Sequence, residues 1–307
     1  MNFFLSEKNI GDKRDISCLQ KLKELNSYVS VDIFKGNLIE NICNFDVIVI
    51  TEMMNEDLLF RIDEKCHQNN ISFIYCLNLG LSGFIFSDFG KKHIITDQTG
   101  KEKKTYFIKS IDNSGIITID QTNRDEFTLR TGNFVKFKEV EGIKELNDGK
   151  PRKIRYISKN PFSIEDKYNF ENYKVGGIIE EIILPKEMNY KKLKDRFYIP
   201  YLGSEPPDIN DYSKVGRNEL LHLSFLAIHK YFTKKNSLPE INNLEEAKEI
   251  LEKAKLIYNE GKNNNEEWIN NIENLDEQII LNVARWSKCQ ISPICSFIGG
   301  IASSGSN

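Results

Sequence analysis

The stretch Phe45-Asp46-Val47-Ile48-Val49-Ile50-Thr51 decides how the chain begins to fold. Four consecutive β-branched apolar residues between polar flanks read as a short strand buried on both faces, as in a parallel sheet. Downstream, Leu58, Ile62 and Cys66 share one face of a helix. A second apolar run, Ile71-Ser72-Phe73-Ile74-Tyr75-Cys76-Leu77, follows. Strand, helix and strand within about 30 residues make a βαβ unit. Upstream, Leu19, Leu22 and Leu25 recur at helical spacing, and Tyr28 to Phe34 alternates like a strand. Residues 1–86 therefore read as α/β.

Working outward, the helical period disappears over residues 87–185. Short runs rich in Ile, Val, Phe, Tyr and Thr alternate with Gly, Asn and Asp, among them Thr105–Ser110, Gly115–Asp120, Asn133–Val140, Lys153–Ser158 and Gly176–Leu184. Strands at this spacing with no helix between them predict a small antiparallel barrel or sandwich. Residues 186–291 turn helical. Leu220, Leu223, Ala227 and Tyr231 share a face, as do Leu244, Ala247, Leu251, Ala254 and Tyr258, and then Leu275, Ile279, Val283 and Trp286. Asn243 with Glu246 reads as a capping box and Gly261 as a helix stop. Such helices with short links make a bundle. The chain ends in Ile298-Gly299-Gly300-Ile301-Ala302-Ser303-Ser304-Gly305-Ser306-Asn307, where Gly299-Gly300 and Ser303–Ser306 give no structural signal. The expected fold class is thus α/β + β + α multidomain.

Composition bounds the function. The 307 residues suffice for two to three domains. Apolar residues are 40% and charged residues 28%, which excludes a disordered or collagenous chain. A net charge of −3 and a pI near 6.0 argue against a nucleic-acid partner, which calls for a strongly basic domain. No apolar run approaches the roughly 20 residues of a membrane span, and the start, MNFFLSEKNIGDKRD, is not a secretory signal. The six cysteines form no CxxC pair and read as reduced, mostly buried thiols of a cytosolic or nuclear protein.

The search for chemistry yields little. There is no G-x-G-x-x-G after a strand and no Walker loop, which also disfavours a free-standing nucleotide-dependent oxidoreductase. Gly80-Leu81-Ser82-Gly83 reads as a turn leaving a sheet, and Gly176-Gly177, before a strand, and Gly299-Gly300, at a helix start, as close-packing points. His222 and His229 lie seven apart, too far for a zinc helix, and no G-x-S-x-G elbow occurs. Cys66 and His67 are adjacent and so do not face each other on a helix. Glu139, Glu141 and Glu145 read as a solvated face. No catalytic residue, no cofactor-binding residue and no metal ligand is nominated.

The order of the three pieces, with their residues, resembles the N-terminal half of ubiquitin-activating enzymes (E1). Gly132-Asn133-Phe134-Val135-Lys136-Phe137-Lys138-Glu139-Val140-Glu141-Gly142 looks like that family's G-D/N-F-V-x-F-x-E-V-x-G. Leu146-Asn147, Pro161-Phe162-Ser163-Ile164 and Tyr173-Lys174-Val175-Gly176-Gly177-Ile178 continue the match. Upstream, Asp88-Phe89-Gly90, Ile95-Thr96-Asp97 and Leu79-Gly80-Leu81 fit, as do Ile10-Gly11 with Arg14. Downstream, Leu221-His222, Phe225, Ala227 and His229 resemble the family's bundle helix. Asn274-Leu275-Asp276-Glu277 and Phe297-Ile298-Gly299-Gly300 follow.

The resemblance implies part of an inactive, Rossmann-like (ThiF-type) adenylation domain at 1–86. It implies the first catalytic-cysteine half-domain, a β-barrel, at 87–185 and a four-helix bundle at 186–291. Residues 292–307 would return, truncated, toward the adenylation domain. The family's opening glycine-rich turn would precede Met1. The active adenylation half and the domain with the thioester cysteine would follow residue 307, so none of the six cysteines is nominated as nucleophile. By resemblance, the parent enzyme adenylates the ubiquitin C-terminus with MgATP, forms a thioester and hands ubiquitin to E2 enzymes in the cytoplasm and nucleus. This segment would support and recognise. In the loop Asn123-Arg124-Asp125-Glu126-Phe127, Arg124 and Glu126 stand where the family carries ubiquitin-facing residues. Two alternatives remain open: a non-catalytic module that binds ubiquitin or a partner, and an E1 for a related modifier.

Overall fold

The structure is a computed structural model that describes residues 4–97, 100, 102–120, 129–158, 161–200 and 214–304. The chain divides into two compact units, one made of residues 1–93 with 189–307 and the other of residues 94–188.

The first unit is built on the βαβ motif. After α1 (Arg14–Leu25) and the one-turn α2 (Leu38–Asn41) comes β1 (Val47–Ile50). The Asn55 side chain caps α3 (Glu56–Gln68), which leads to β2 (Ser72–Leu79) and β3 (Ser82–Asp88). Strands β1 and β2 pair in parallel, Val47 opposite Ser72, and β3 returns antiparallel to β2 through a tight hairpin. The helices α4 (Leu193–Arg196), α5 (Arg217–Lys235), α6 (Leu244–Asn263), α7 (Glu267–Asn270), α8 (Glu277–Trp286) and α9 (Ser292–Ser304) complete the unit.

Alternation along β2 explains why the sheet and the helices fold as one body. Phe73, Tyr75 and Leu77 join a core shared with Leu59 and Ile62 of α3, Leu223, Phe225 and Leu226 of α5, Ala247 and Leu251 of α6, and Ile280 of α8. On the other face, Ile74 and Cys76 pack with Phe89 and with Ile298 of α9. β2 is therefore covered on both sides, as its unbroken apolar run requires. β1 is not. Ile48 and Ile50 are buried, while Val47 and Val49 stay 40% and 49% exposed at the open edge of the order β1-β2-β3. The expected strand at 28–34 does not form: Tyr28 is fully solvent-facing, and among the described residues no strand neighbours it to supply ladder hydrogen bonds.

Three further expectations are corrected. The Asn243 side chain accepts from the amides of Glu245 and Glu246, but Glu246 turns to the amide of Glu240, so the box is half made. Gly261 sits inside the last turn of α6, where an added Cβ would lie 2.6 Å from Ile269 Cγ1. Ser292–Ser304 form α9, which takes in Gly299-Gly300 and Ser303, and the two glycines lie within it with open space around them rather than at its start. Strand β3 runs across residues 86 and 87.

The second unit is the barrel. β4 (His93–Ile95) and β11 (Lys186–Met188) form a two-stranded ribbon. β5 (Thr105–Ile111), β6 (Ile117–Ile119), β7 (Phe134–Lys138), β8 (Arg152–Tyr156), β9 (Phe162–Ile164) and β10 (Ile178–Ile182) close into a six-stranded barrel of order β10-β5-β6-β9-β8-β7. Closure leaves no free strand edge. Tyr106, Ile108, Ile117, Val135, Phe137, Ile154, Phe162 and Ile179 alternate inward and fill it.

Candidate functional site

The sequence places recognition on the loop between β6 and β7, and the structure fixes the base of that loop. Leu129 is fully buried in the barrel core. The next four residues fold back on β8. The Arg130 amide donates to Asn133 Oδ1 (2.6 Å), the Gly132 amide to Ile154 O (3.0 Å) and the Ile154 amide to Asn133 O (3.0 Å). The Tyr156 amide donates to Thr131 Oγ1 (2.9 Å). The Arg130 guanidinium lies 5.1 Å from the centre of the Tyr156 ring, a cation–π arrangement at the barrel rim. Gly132 takes φ +98°, open only to glycine at low cost, which is why the motif begins with Gly-Asn. Beside this base, Ile157 is half exposed. Arg124 and Glu126 lie outside the described residues. The base residues Arg130 and Tyr156 were missed because only the cross-strand register brings them together.

The barrel rests on one more polar device. Arg152, 5% exposed, makes bidentate contact with Asp148 (2.9 Å to each oxygen), reaches Asp166 (3.0 Å) and donates to the Tyr168 hydroxyl (2.7 Å). Hydrogen bonds from the Lys150 amide and from Arg152 hold the Asp148 carboxyl below the usual carboxylate range.

A nucleotide would fit best at the carboxyl ends of β1 and β2, the usual ligand crevice of an open α/β sheet. A crevice of about 560 Å³ exists there, lined by Arg14, Thr51, Glu52, Asn78, Phe232 and Lys288 among others. Its chemistry is wrong for a triphosphate. The turn Thr51-Glu52-Met53-Met54-Asn55 has no glycine to cradle phosphate and carries a carboxylate. Arg14 is already paired with Glu52 (3.3 Å) and Lys288 with Glu240. Gly80 and Gly83 are consumed by packing. A Cβ at Gly80 would lie 2.6 Å from Trp286 O, and one at Gly83 2.3 Å from Ile298 Cδ1. The residues present do not fit MgATP.

The histidines and cysteines form no catalytic pair among the described residues. Burial pushes the His222 imidazole down to about 4, so it is neutral near pH 7 and only a weak base. It packs against Trp268 and Phe84. Burial likewise pushes the Cys66 thiol up to about 12, which removes it as a nucleophile. All six cysteines are free, and among the described residues no group of three or more His, Cys, Asp or Glu side chains is arranged to hold a metal ion. No helix of the described residues is long and apolar enough to cross a membrane.

Among the described residues, then, a closed β-barrel is inserted in the sequence between the two segments of a mixed α/β and helical unit. Two family models match: the ubiquitin-activating enzyme E1 FCCH domain over residues 112–182, and the ubiquitin-activating enzyme E1 four-helix bundle over residues 184–258. The first covers most of the barrel strands and the second reaches into α6. Over these residues the chain is similar to two domains of the ubiquitin-activating enzyme E1 family. It is 34% identical over 304 residues to ubiquitin-like modifier-activating enzyme 1 of Oryctolagus cuniculus, covering 98% of this chain and 27% of that protein. It is 33% identical over 303 residues to the Homo sapiens protein of the same name (98% and 27%) and over 306 residues to ubiquitin-activating enzyme E1 1 of Triticum aestivum (98% and 28%). The chain thus spans about a quarter of the length of these relatives.

Proposed function

We propose that the chain supplies the recognition and bracing part of an ATP-dependent ubiquitin-activating enzyme. The observation that supports this best is the pair of E1 domain matches in series, on a barrel and a helical body that lack any nucleotide loop. In this reading MgATP, the adenylation of the ubiquitin C-terminus and the thioester cysteine belong to other parts of the parent enzyme, with which this chain pairs. E2 enzymes receive ubiquitin from that parent in the cytoplasm and nucleus. The barrel loop at 121–131 meets ubiquitin through Arg124 and Glu126. The arginine and glutamate give a two-signed rim, and the clamp on β8 by Arg130 and Asn133 limits the ordering entropy of binding.

The test is a titration of isotopically labelled ubiquitin with the 307-residue chain, followed by NMR. The expected result is a saturable shift of a contiguous ubiquitin face. Arg124→Glu should weaken it about tenfold, the loss of one rim charge contact plus a repulsion. ATP–pyrophosphate exchange by the chain alone should be absent. A flat titration, or measurable exchange, would overturn the reading.

A further inference from the structure

We propose that the carboxyl pair Asp63–Asp88, with His67, is a proton-operated latch on the backbone that leaves β3 and the backbone that enters α4. The three side chains lie inside the first unit: Asp63 and Asp88 are fully buried, and His67 is 6% exposed. Asp88 accepts from His67 Nδ1 (2.8 Å to Oδ2, 3.0 Å to Oδ1) and from the Gly90 amide (2.8 Å). Asp63 Oδ2 accepts from the Leu193 amide (2.8 Å), 130 residues away in sequence. The two backbone segments also meet directly, the Tyr190 amide donating to Gly90 O (3.0 Å). Both ends of the chain's excursion into the barrel are therefore tied to one carboxyl cluster.

The geometry asks for a proton. Asp63 Oδ1 is buried and no donor faces it, while the Asp88 carboxyl is its hydrogen-bonding neighbour. Two buried carboxyl groups side by side repel when both are charged, which favours a proton on one of them. A proton on Asp63 Oδ1 donates to Asp88 and satisfies both groups. Burial, then the charge of Asp88, raises the Asp63 carboxyl to about 7 against the pull of the Leu193 amide and of Lys192. The other groups facing the cluster do not replace that proton. Lys192 is engaged by Glu64 at 2.8 Å. Cys66, with Cys43 beside it, stays a neutral thiol, and Tyr190 stays a neutral phenol. The sign follows. The folded chain keeps a proton that the unfolded chain loses above about pH 4, so the latch is closed at mildly acidic pH and opens as pH rises through about 7.

The test is amide hydrogen exchange on the whole 307-residue chain at pH 6 and pH 8, corrected for the intrinsic chemical rate and referenced to α6. Protection of residues 88–93 and 189–196 should fall about tenfold between the two, one pKa unit's worth of free energy. Asp63→Asn, which carries a permanent donor toward Asp88 and an acceptor for Leu193, should hold its protection at both. Equal protection of the wild type at both pH values, or an equal loss in Asp63→Asn, would overturn the latch. Should the variant not fold, infrared spectroscopy of the wild type decides. A protonated carboxyl band that titrates away near pH 7 supports the latch, and its absence at pH 6 refutes it.

Discussion

His229 Nδ1 lies 3.2 Å from Glu56 Oε1, joining the middle of α5 to the first residue of α3 across 173 positions of sequence. His229 is wholly buried and its Nε2 has no partner, so this contact carries the whole polar requirement of the ring. Tyr198 donates to the other carboxylate oxygen, and its phenol is pushed up by burial and by Glu56. Cross-links of this kind make the α/β layer and the helices one folding unit.

Glu56→Ala leaves the buried imidazole with no partner at all. It should lower stability by about 2–3 kcal/mol, the cost of an unsatisfied buried group once paired with a charge. Glu56→Gln should cost about 1 kcal/mol because an acceptor remains. The His229 hydrogen bond holds the Glu56 carboxyl below its ordinary value. Its contribution is therefore present above about pH 4.5 and is lost as pH falls through the lowered folded value. Urea midpoints between about pH 3 and 6 check this, and the acid-side dependence should be weaker in Glu56→Gln.

Two glycines of the family motif should answer differently to alanine. At Gly142, φ is +97° and a Cβ would stand 1.8 Å from Asn172 O, against backbone pinned by the Glu141–Val175 and Lys174–Glu141 hydrogen bonds. Gly142→Ala should cost about 3 kcal/mol or more through strain and overpacking. Gly132 has a similar φ but open space, so Gly132→Ala should cost only about 1 kcal/mol. Comparing unfolding midpoints of the two variants separates steric from torsional cost.

Alkylation should rank the thiols by exposure. Cys43 and Cys295 are exposed and should react first with iodoacetamide, then Cys289. Cys18, Cys66 and Cys76 are buried, and burial raises the thiols of Cys66 and Cys76, so these three should stay unmodified until the chain unfolds. Mass spectrometry after timed quenching reads the order.

Arg152→Met should loosen the barrel by about 2 kcal/mol. Its stem remains packed, while the bonds to Asp148, Asp166 and Tyr168 are lost, and the two carboxylates are wet enough to find water instead. Faster amide exchange in β8 and β9, with α6 unchanged, is the expected signature.

Local periodicity was enough for α3, β2, α5, α6 and α8, where an apolar face repeats at helical spacing or an apolar run is covered on both sides. It misled at β1 and at 28–34. An apolar run such as Val47–Ile50 reports that a strand is favourable, not how many faces a neighbour covers. Residues 28–34 alternate correctly but find no strand to pair with. Helix α9 gave no signal because Gly299, Gly300 and the serines hide a helix seated by Ile298 against the sheet.

The sequence by itself determined the family resemblance, the barrel's motif residues, and the absence of a phosphate loop, because those reside in residue types at fixed spacing. Tertiary structure alone decided that the sheet and the helices share a core and that Arg130 meets Tyr156. It alone brought Asp63, His67 and Asp88 to Leu193. Such relations join positions as distant in sequence as Ile74 and Ile298. They depend on burial and on the direction of single side chains, which no local pattern encodes.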